Sequence, residues 1–164
     1  ATIAMVERLA ARHDLHVHHV VGRRDWGTEH APPPRLPDGA GITYVPVEYE
    51  EHTDDLMAAA DLFVGRAGAS TVAELAVVGL GAVLVPLPVA PRDAQRANAM
   101  MLADVDAAIV VDDDALDGDS LTELVVDLVD SDGRLAQMAE SARAIGRPGA
   151  ADAVAALCEE HARG

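Results

Sequence analysis

The sequence predicts an α/β fold, a doubly wound parallel sheet with helices on both faces. First, strand-like and helix-like segments alternate along almost the whole chain, which indicates right-handed crossovers between parallel strands. Second, the composition is 50% apolar but only 2% aromatic. Ala, Val and Leu must therefore fill the core, and this suits Val-rich parallel strands covered by Ala- and Leu-rich helices.

Each element follows from a local pattern. A first helix is predicted over 2–12, where Ile3, Val6 and Leu9 recur at helical spacing. The β-branched run "LHVHHVV" predicts a strand over 15–21, and a long loop rich in Pro and Gly covers 22–41. The remaining elements are a strand over 42–47, a helix over 52–60, a strand over 61–64, a helix over 71–78, a strand over 82–86, a helix over 93–103, a strand over 107–111, helices near 119–130 and 132–144, and a last helix over 150–161.

The organisation predicts a single domain over residues 1–164, without a repeat or an internal boundary. The chain opens with a helix that no strand precedes, whereas the first strand of a doubly wound sheet is usually central and its loop cups the ligand phosphate. We therefore expect a fragment that lacks its first strand and part of its site. An α/β domain that simply begins with a helix is the alternative.

The charge and the cysteine count restrict the possible partners. The formal net charge of −16 argues against nucleic acid and against direct binding to anionic lipid. The lone Cys158 excludes an internal disulfide and a Cys-based zinc site, which is compatible with a reducing cytoplasm. No apolar run reaches the roughly 18 residues of a membrane span, so we expect a soluble domain.

The stretch "GRAGASTVAE" over 65–74 is the first candidate site. Thr71 and Glu74 have the spacing of a capping box, with Ser70 as an alternative cap. In either case the first-turn N–H groups of 69–72 form an anion site, and the small residues before them let a diphosphate approach. Glu74 suits the vicinal hydroxyls of a sugar. The alternative is a capped strand-to-helix turn that binds nothing, and the stretch matches no dinucleotide or P-loop fingerprint.

The second candidate is "VLVPLPVAPRDAQRANAM" over 83–100. A strand ends in Pro86, a Pro-rich loop follows, and a helix opens around Asp93 with Gln95 and Asn98 on one face. Amide side chains donate and accept hydrogen bonds at once, which suits sugar hydroxyls. Polar residues in a first helical turn are otherwise solvated caps. This loop leaves the carboxyl edge of the predicted sheet, where ligand loops gather in parallel sheets.

The segments "YEEHTDDLMAAADLFVGRAGASTVAEL" and "GAVLVPLP…DAQRANAM" resemble the C-terminal, donor-binding domain of the MurG family. These bacterial glycosyltransferases add N-acetylglucosamine (GlcNAc) to the undecaprenyl-linked muramoyl-pentapeptide and so make lipid II for the cell wall. The resemblance covers about residues 1–160, and its specificity is concentrated in 57–100. It implies a Rossmann-like domain, the C-terminal half of a GT-B glycosyltransferase.

The resemblance implies roles for the first candidate stretch. Main-chain groups of Ala69, Ser70 and Thr71 would contact the donor diphosphate and sugar at the helix start. Glu74 would bind the ribose hydroxyls of the uridine. Arg66 would structure the loop or line the uridine pocket.

The resemblance also implies roles on both sides of that stretch. Gln95, together with Asn98 and Asp93, would recognise the GlcNAc hydroxyls. Tyr49 and Glu50 would close over the uracil through backbone groups. Ala94 departs from the family pattern, which often has a polar residue there, and the loop "VAPRD" lacks His or Lys.

Neither the family's glycine-rich "GGS-GA" loop nor its N-terminal domain is in the chain. In the family that domain supplies the acceptor site, the general base and the membrane patch. The resemblance therefore implies UDP-GlcNAc as donor, a lipid-linked acceptor bound through the absent domain, and no metal or cofactor. It also implies no catalytic residue in this chain, which we expect to be inactive alone. The full-length protein would lie in the cytoplasm at the inner face of the plasma membrane, where it would serve peptidoglycan synthesis, cell shape and cell division.

Two other classes of function stay open from the residues. One is a different nucleotide-sugar enzyme of this architecture, such as a macrolide-type glycosyltransferase or a UDP-GlcNAc 2-epimerase. An epimerase would need acid and base carboxylates in the cleft, where the chain offers chiefly Glu74. The other is a regulatory α/β module without catalysis.

Three further signals carry little weight. His16 and His18 share a strand face, but no nearby Cys or acidic partner is expected, so a metal site is not predicted. "DDDALDGD" over 112–119 lacks the register of a calcium loop and predicts a charged strand-to-helix loop. Cys158 is predicted to be a small packing residue on the last helix.

Overall fold

A computed structural model describes residues 1–89 and 91–162, and the chain divides into two compact units. Unit 1 comprises residues 1–56 and 112–132, and unit 2 comprises residues 57–111 together with those from Gly133 onward. The elements in chain order are α1 (Thr2–Arg8), β1 (His16–Val20), β2 (Thr43–Val47), α2 (Thr53–Ala59), β3 (Phe63–Gly65), α3 (Ala69–Val78), β4 (Ala82–Leu84), a 3₁₀ turn (Pro91–Asp93), α4 (Ala94–Ala103), β5 (Ala108–Val110), α5 (Gly118–Asp130), α6 (Arg134–Ile145) and α7 (Ala150–Ala162).

Unit 1 is built on two parallel strands and two packed helices. β1 pairs with β2 in parallel from His16 opposite Thr43 to Val20 opposite Val47. The predicted loop over 22–41 supplies the long connection that parallel strands require. α1 packs against α5, and the buried apolar side chains of this unit include Met5, Val6, Leu9, Ile42, Leu121, Val125 and Leu128.

The start of α5 explains the acidic stretch "DDDALDGD". The Asp117 carboxylate accepts hydrogen bonds from the backbone N–H groups of Asp119 and Ser120, and the Ser120 hydroxyl is hydrogen-bonded to the Asp117 N–H. This reciprocal cap satisfies N–H groups that an α-helix leaves without an intrahelical partner. The stretch is therefore a helix-capping loop, which agrees with the predicted charged loop before a helix.

Unit 2 is built on a three-stranded parallel sheet in the order β3-β4-β5. Gly65 lies opposite Leu84 in one pair, and Leu84 lies opposite Val110 in the other. β4 is central and all three of its residues are buried, as expected for a parallel strand covered on both faces. The buried core of this unit includes Met57, Ala67, Val72, Leu75, Ala76, Leu80, Ala82, Leu84, Ala99, Leu102, Ala107, Ala108 and Ala142.

Two local predictions are wrong. The helix after β3 does not begin at a capping box: its N-cap is Gly68 in an extended conformation, without a side-chain cap. Cys158 does not pack, because every residue of α7 from Ala150 to Ala162 is exposed. Among the described residues, no helix is long and apolar enough to cross a membrane.

One ion-pair cluster in unit 1 predicts an acid-dependent stability. The Arg12 guanidinium donates to Asp14 at 2.8 Å and to Asp130 at 2.7 Å. Its hydrogen bonds lower the pKa of Asp14 from 3.8 to about 2. Because the native pKa is depressed, the stabilisation is complete above the unfolded value of 3.8 and is lost as the pH falls towards about 2.

We therefore expect Arg12→Gln to lower the free energy of unfolding at pH 7, with the deficit shrinking as the pH falls from about 4 to about 2. Urea unfolding of both proteins at several pH values measures this difference. Arg24→Gln is the matched control, because the Arg24 side chain is 95% exposed and lies 4.0 Å from Asp25. A deficit that does not vary with pH would contradict the assignment to Asp14.

Candidate functional site

The candidate site of unit 2 lies at the carboxyl ends of β3 and β4. These strands are parallel neighbours, and the Val85 N–H donates to the Gly65 carbonyl at 2.8 Å just where β3 ends. The β3–α3 loop and the β4–α4 loop therefore leave the sheet at the same edge. Ligands of open parallel sheets bind at such an edge.

The first turn of α3 is open towards solvent. The Val72 N–H donates to the Gly68 carbonyl, so Ala69, Ser70 and Thr71 form the first turn of the helix. In the part of the chain that the structure describes, neither their N–H groups nor the hydroxyls of Ser70 and Thr71 have a hydrogen-bond partner. Such unsatisfied donors, at the positive end of the helix dipole, favour an anion.

Glu74 lies in the second turn of α3 and is exposed. Because the helix begins at Ala69, Thr71 is already its third residue, and Glu74 is too far along the helix to form the predicted capping box. Within the described residues its carboxylate has no hydrogen-bond or ion-pair partner. The carboxylate is therefore available to accept hydrogen bonds from a ligand.

The two glycines of the β3–α3 loop have different surroundings. A Cβ on Gly65 would lie 2.7 Å from the tip of the Phe63 ring, so a side chain here would force that ring to shift. A Cβ on Gly68 would meet only the Thr71 hydroxyl, at an ordinary 3.5 Å. Nothing in the described chain therefore requires Gly68 to lack a side chain, whereas close approach of a ligand backbone or phosphate would.

Arg66, Gln95 and Asn98 contact the backbone of the two loops. Arg66 Nη1 donates to the Val85 carbonyl at 3.2 Å, the Gln95 side-chain oxygen accepts from the Leu87 N–H at 2.9 Å, and Asn98 Nδ2 donates to the Ala67 carbonyl at 3.1 Å. None of these bonds could be predicted from the sequence. Two of them join residues that are distant along the chain, and the third involves a Pro-rich loop. These hydrogen bonds hold the two loops in shape whether or not a ligand is bound.

Asp93 is the residue before α4 and adopts a left-handed conformation, with φ 54°. Its carboxylate does not cap the helix but lies 3.5 Å from Arg96 Nε. Asp is one of the few residues other than Gly that tolerate this conformation. The predicted helix start near Asp93 is thus correct to one residue, since α4 begins at Ala94.

Tyr49 and Glu50 belong to unit 1, where they follow β2. The Arg23 guanidinium lies over the Tyr49 ring, 4.7 Å from its centroid, and 58% of the Tyr49 surface is exposed. Glu50 accepts from the His52 N–H at 2.9 Å and lies 3.3 Å from His18 Nε2. These contacts join β1 and the residues after it, His18 and Arg23, to the chain after β2, and sequence reasoning missed both of them, including the acidic partner Glu50 of His18.

Comparison with known proteins identifies the family. The model of the glycosyltransferase family 28 C-terminal domain matches residues 2–155. The chain belongs to this family. It is 40% identical over 163 residues to the UDP-N-acetylglucosamine--N-acetylmuramyl-(pentapeptide) pyrophosphoryl-undecaprenol N-acetylglucosamine transferase of Acidothermus cellulolyticus, a match covering 99% of this chain and 43% of that protein. The transferase of the same name from Mycolicibacterium smegmatis is 43% identical over 120 residues, covering 73% and 31%.

Solved structures place this family 28 domain in the predicted fold class. The crystal structure of Acinetobacter baumannii MurG matches with a TM-score of 0.80 and 31% identity, covering 97% of this chain and 44% of that one. A glycotransferase of kitacinnamycin, at 24% identity and a TM-score of 0.62, shows the fold alone. The doubly wound, Rossmann-like α/β prediction and the resemblance to the MurG family are confirmed. The chain spans less than half the length of these relatives.

The family 28 domain carries most of its predicted site residues in unit 2. Those on α3, α4 and the loops at the carboxyl edge are Arg66, Ala69, Ser70, Thr71, Glu74, Asp93, Gln95 and Asn98. Their roles towards a ligand stay predictions. Among the described residues, one group of potential metal ligands comes together, the exposed side chains of His52, Asp54 and Asp55, within 4.8 Å of one another. His16 is exposed and is not part of that group.

Proposed function

We propose that this chain is the donor-binding part of an inverting glycosyltransferase that moves GlcNAc from UDP-GlcNAc to a lipid-linked muramoyl-pentapeptide. The observation that carries the proposal is the start of α3, where N–H groups and the Glu74 carboxylate that have no partner among the described residues lie within two helical turns. The named activity of relatives about 40% identical supports the donor and the acceptor. The family model spans residues 2–155 and thus both units, which supports the predicted single domain.

The proposed chemistry is direct displacement at the anomeric carbon. An acceptor hydroxyl oxygen forms a bond to that carbon while the bond to the UDP oxygen breaks, and UDP leaves with the electron pair. The N–H groups of Ala69, Ser70 and Thr71 stabilise the charge that develops on the diphosphate, because they point at it before the reaction begins. Glu74 orients the donor through its ribose, and Gln95 orients the sugar.

The general base that takes the acceptor proton lies outside this chain in our proposal, as do the acceptor site and the contact with the membrane. The transfer requires no metal or cofactor, and the full-length protein acts at the inner face of the plasma membrane in peptidoglycan synthesis. The chain alone binds the donor without turning it over.

The test is calorimetric titration of the chain with UDP and UDP-GlcNAc, beside an assay for GlcNAc release. We expect saturable binding of both ligands and no turnover. UDP-glucose serves as the matched ligand control, because it differs from the donor only in the substituent at the sugar 2-position. If UDP at millimolar concentration bound detectably neither to the chain nor to the full-length protein, the proposal would be overturned.

A further inference from the structure

Three side chains that were predicted to contact a ligand or to structure a loop instead connect the parts of the site by hydrogen bonds to the backbone. Arg66 links the β3–α3 loop to the end of β4, Gln95 links α4 to the β4–α4 loop, and Asn98 links α4 back to the β3–α3 loop. The three bonds close a triangle between two loops and one helix. Asn98 is the member that reaches the turn immediately before the open start of α3.

The hydrogen bond from Asn98 satisfies a buried backbone carbonyl group. Ala67 is fully buried, and in the described chain Asn98 Nδ2 is the one hydrogen-bond donor to its carbonyl. A buried carbonyl without a partner costs free energy comparable to a lost hydrogen bond. If Asn98 turned towards a sugar hydroxyl, the Ala67 carbonyl would be left unsatisfied. Sugar recognition by this amide group is therefore disfavoured.

The same bond fixes a peptide plane that matters for the anion site. The Ala67 carbonyl and the Gly68 N–H belong to one planar peptide unit, so holding the carbonyl also fixes the direction of the N–H. Gly68 is the N-cap of α3, and its own carbonyl accepts the first helical bond, from Val72. This peptide unit is therefore the one from which the first turn of α3 starts, and its orientation fixes the Gly68 N–H beside the first-turn N–H groups.

We propose that Asn98 is a positioning residue for the diphosphate, which acts through the Ala67 carbonyl and does not touch the sugar. The inference rests on the proposed function, since it takes a nucleoside diphosphate as the ligand of the α3 start. It assigns sugar recognition to Gln95, whose NH₂ group has no partner among the described residues.

The experiment measures binding of uridine, UDP and UDP-GlcNAc to the wild-type full-length protein and to Asn98→Asp. The aspartate has the same shape but cannot donate, and it places a carboxylate against the Ala67 carbonyl. We expect the affinities for UDP and UDP-GlcNAc to fall by the same factor, about tenfold, with uridine unchanged within about twofold. Ala97→Asp adds the same charge at the neighbouring, exposed position of α4 and controls for charge.

Asn98→Ala, which removes the donor without adding charge, replaces Asn98→Asp if the latter does not fold, and thermal unfolding checks both. Loss of UDP-GlcNAc affinity alone would mean that Asn98 contacts the sugar and would overturn the inference. An equal loss for uridine, or no loss for any ligand, would also overturn it. Failure of the wild-type protein to bind UDP at all would instead overturn the proposed function.

Discussion

Glu74→Ala is expected to weaken the binding of UDP and of UDP-GlcNAc by about a hundredfold, because a carboxylate that accepts from two ribose hydroxyls contributes about 3 kcal/mol. The midpoint of thermal unfolding should stay within about 1 °C of the wild-type value, since Glu74 is exposed and has no partner among the described residues. Glu74→Gln keeps one acceptor oxygen and is expected to lose about tenfold. Calorimetric titration and a thermal melt measure both quantities.

Glu140→Ala is the matched control, because Glu140 is an exposed glutamate on α6 of the same unit. It removes the same charge from the same unit and should leave nucleotide affinity unchanged. A lowered melting temperature with unchanged affinity for Glu74→Ala would show that Glu74 stabilises α3 and does not bind the nucleotide. Equal losses for both variants would assign the effect to net charge.

The order and type of the elements could be predicted because each has a local cause. Val- and Ile-rich runs mark the strands, three of them end near Gly22, Gly65 or Pro86, and helical spacing of apolar residues begins again after the turns. All of the predicted strands and helices are present in the described chain, and most bounds agree within two residues. The start of α3 could not be fixed, because Gly68, Ser70 and Thr71 are all acceptable N-caps by composition. In the structure, the extended conformation of Gly68 makes this residue the N-cap of α3.

The contacts of the site residues could not be predicted, because they depend on the register of parallel strands. Asn98 and Ala67 are 31 residues apart, and Arg66 and Val85 are 19 apart. Only the alignment of β3 with β4 brings these groups within hydrogen-bonding distance. The sequence indicates polar side chains at the right edge of the sheet. It does not indicate whether they bond to the backbone or stay available for a ligand.

The position of α3, the helix that carries Glu74, depends on a close backbone contact with the C-terminal end of α6. Gly146 is the C-cap of α6, and a Cβ there would overlap the Ala76 carbonyl oxygen and lie 2.9 Å from its carbonyl carbon and 3.2 Å from Val77 Cα. All three are backbone atoms of α3, so no side chain can move aside. We therefore expect Gly146→Ala to separate α6 from α3 locally and to lower the free energy of unfolding by about 3 kcal/mol.

Urea unfolding followed by circular dichroism measures this effect, with the slope of the transition used to check that the compactness of the native state is unchanged. Gly149→Ala is the matched control, three positions further along the same connection, where an added Cβ meets nothing within 4 Å. It should change the free energy of unfolding by less than about 0.5 kcal/mol. Because the substitution displaces α3, Gly146→Ala should also weaken UDP binding, which Gly149→Ala should not. Equal stability of the two variants would show that the end of α6 can shift freely, and that the close approach to α3 contributes nothing to the position of Glu74.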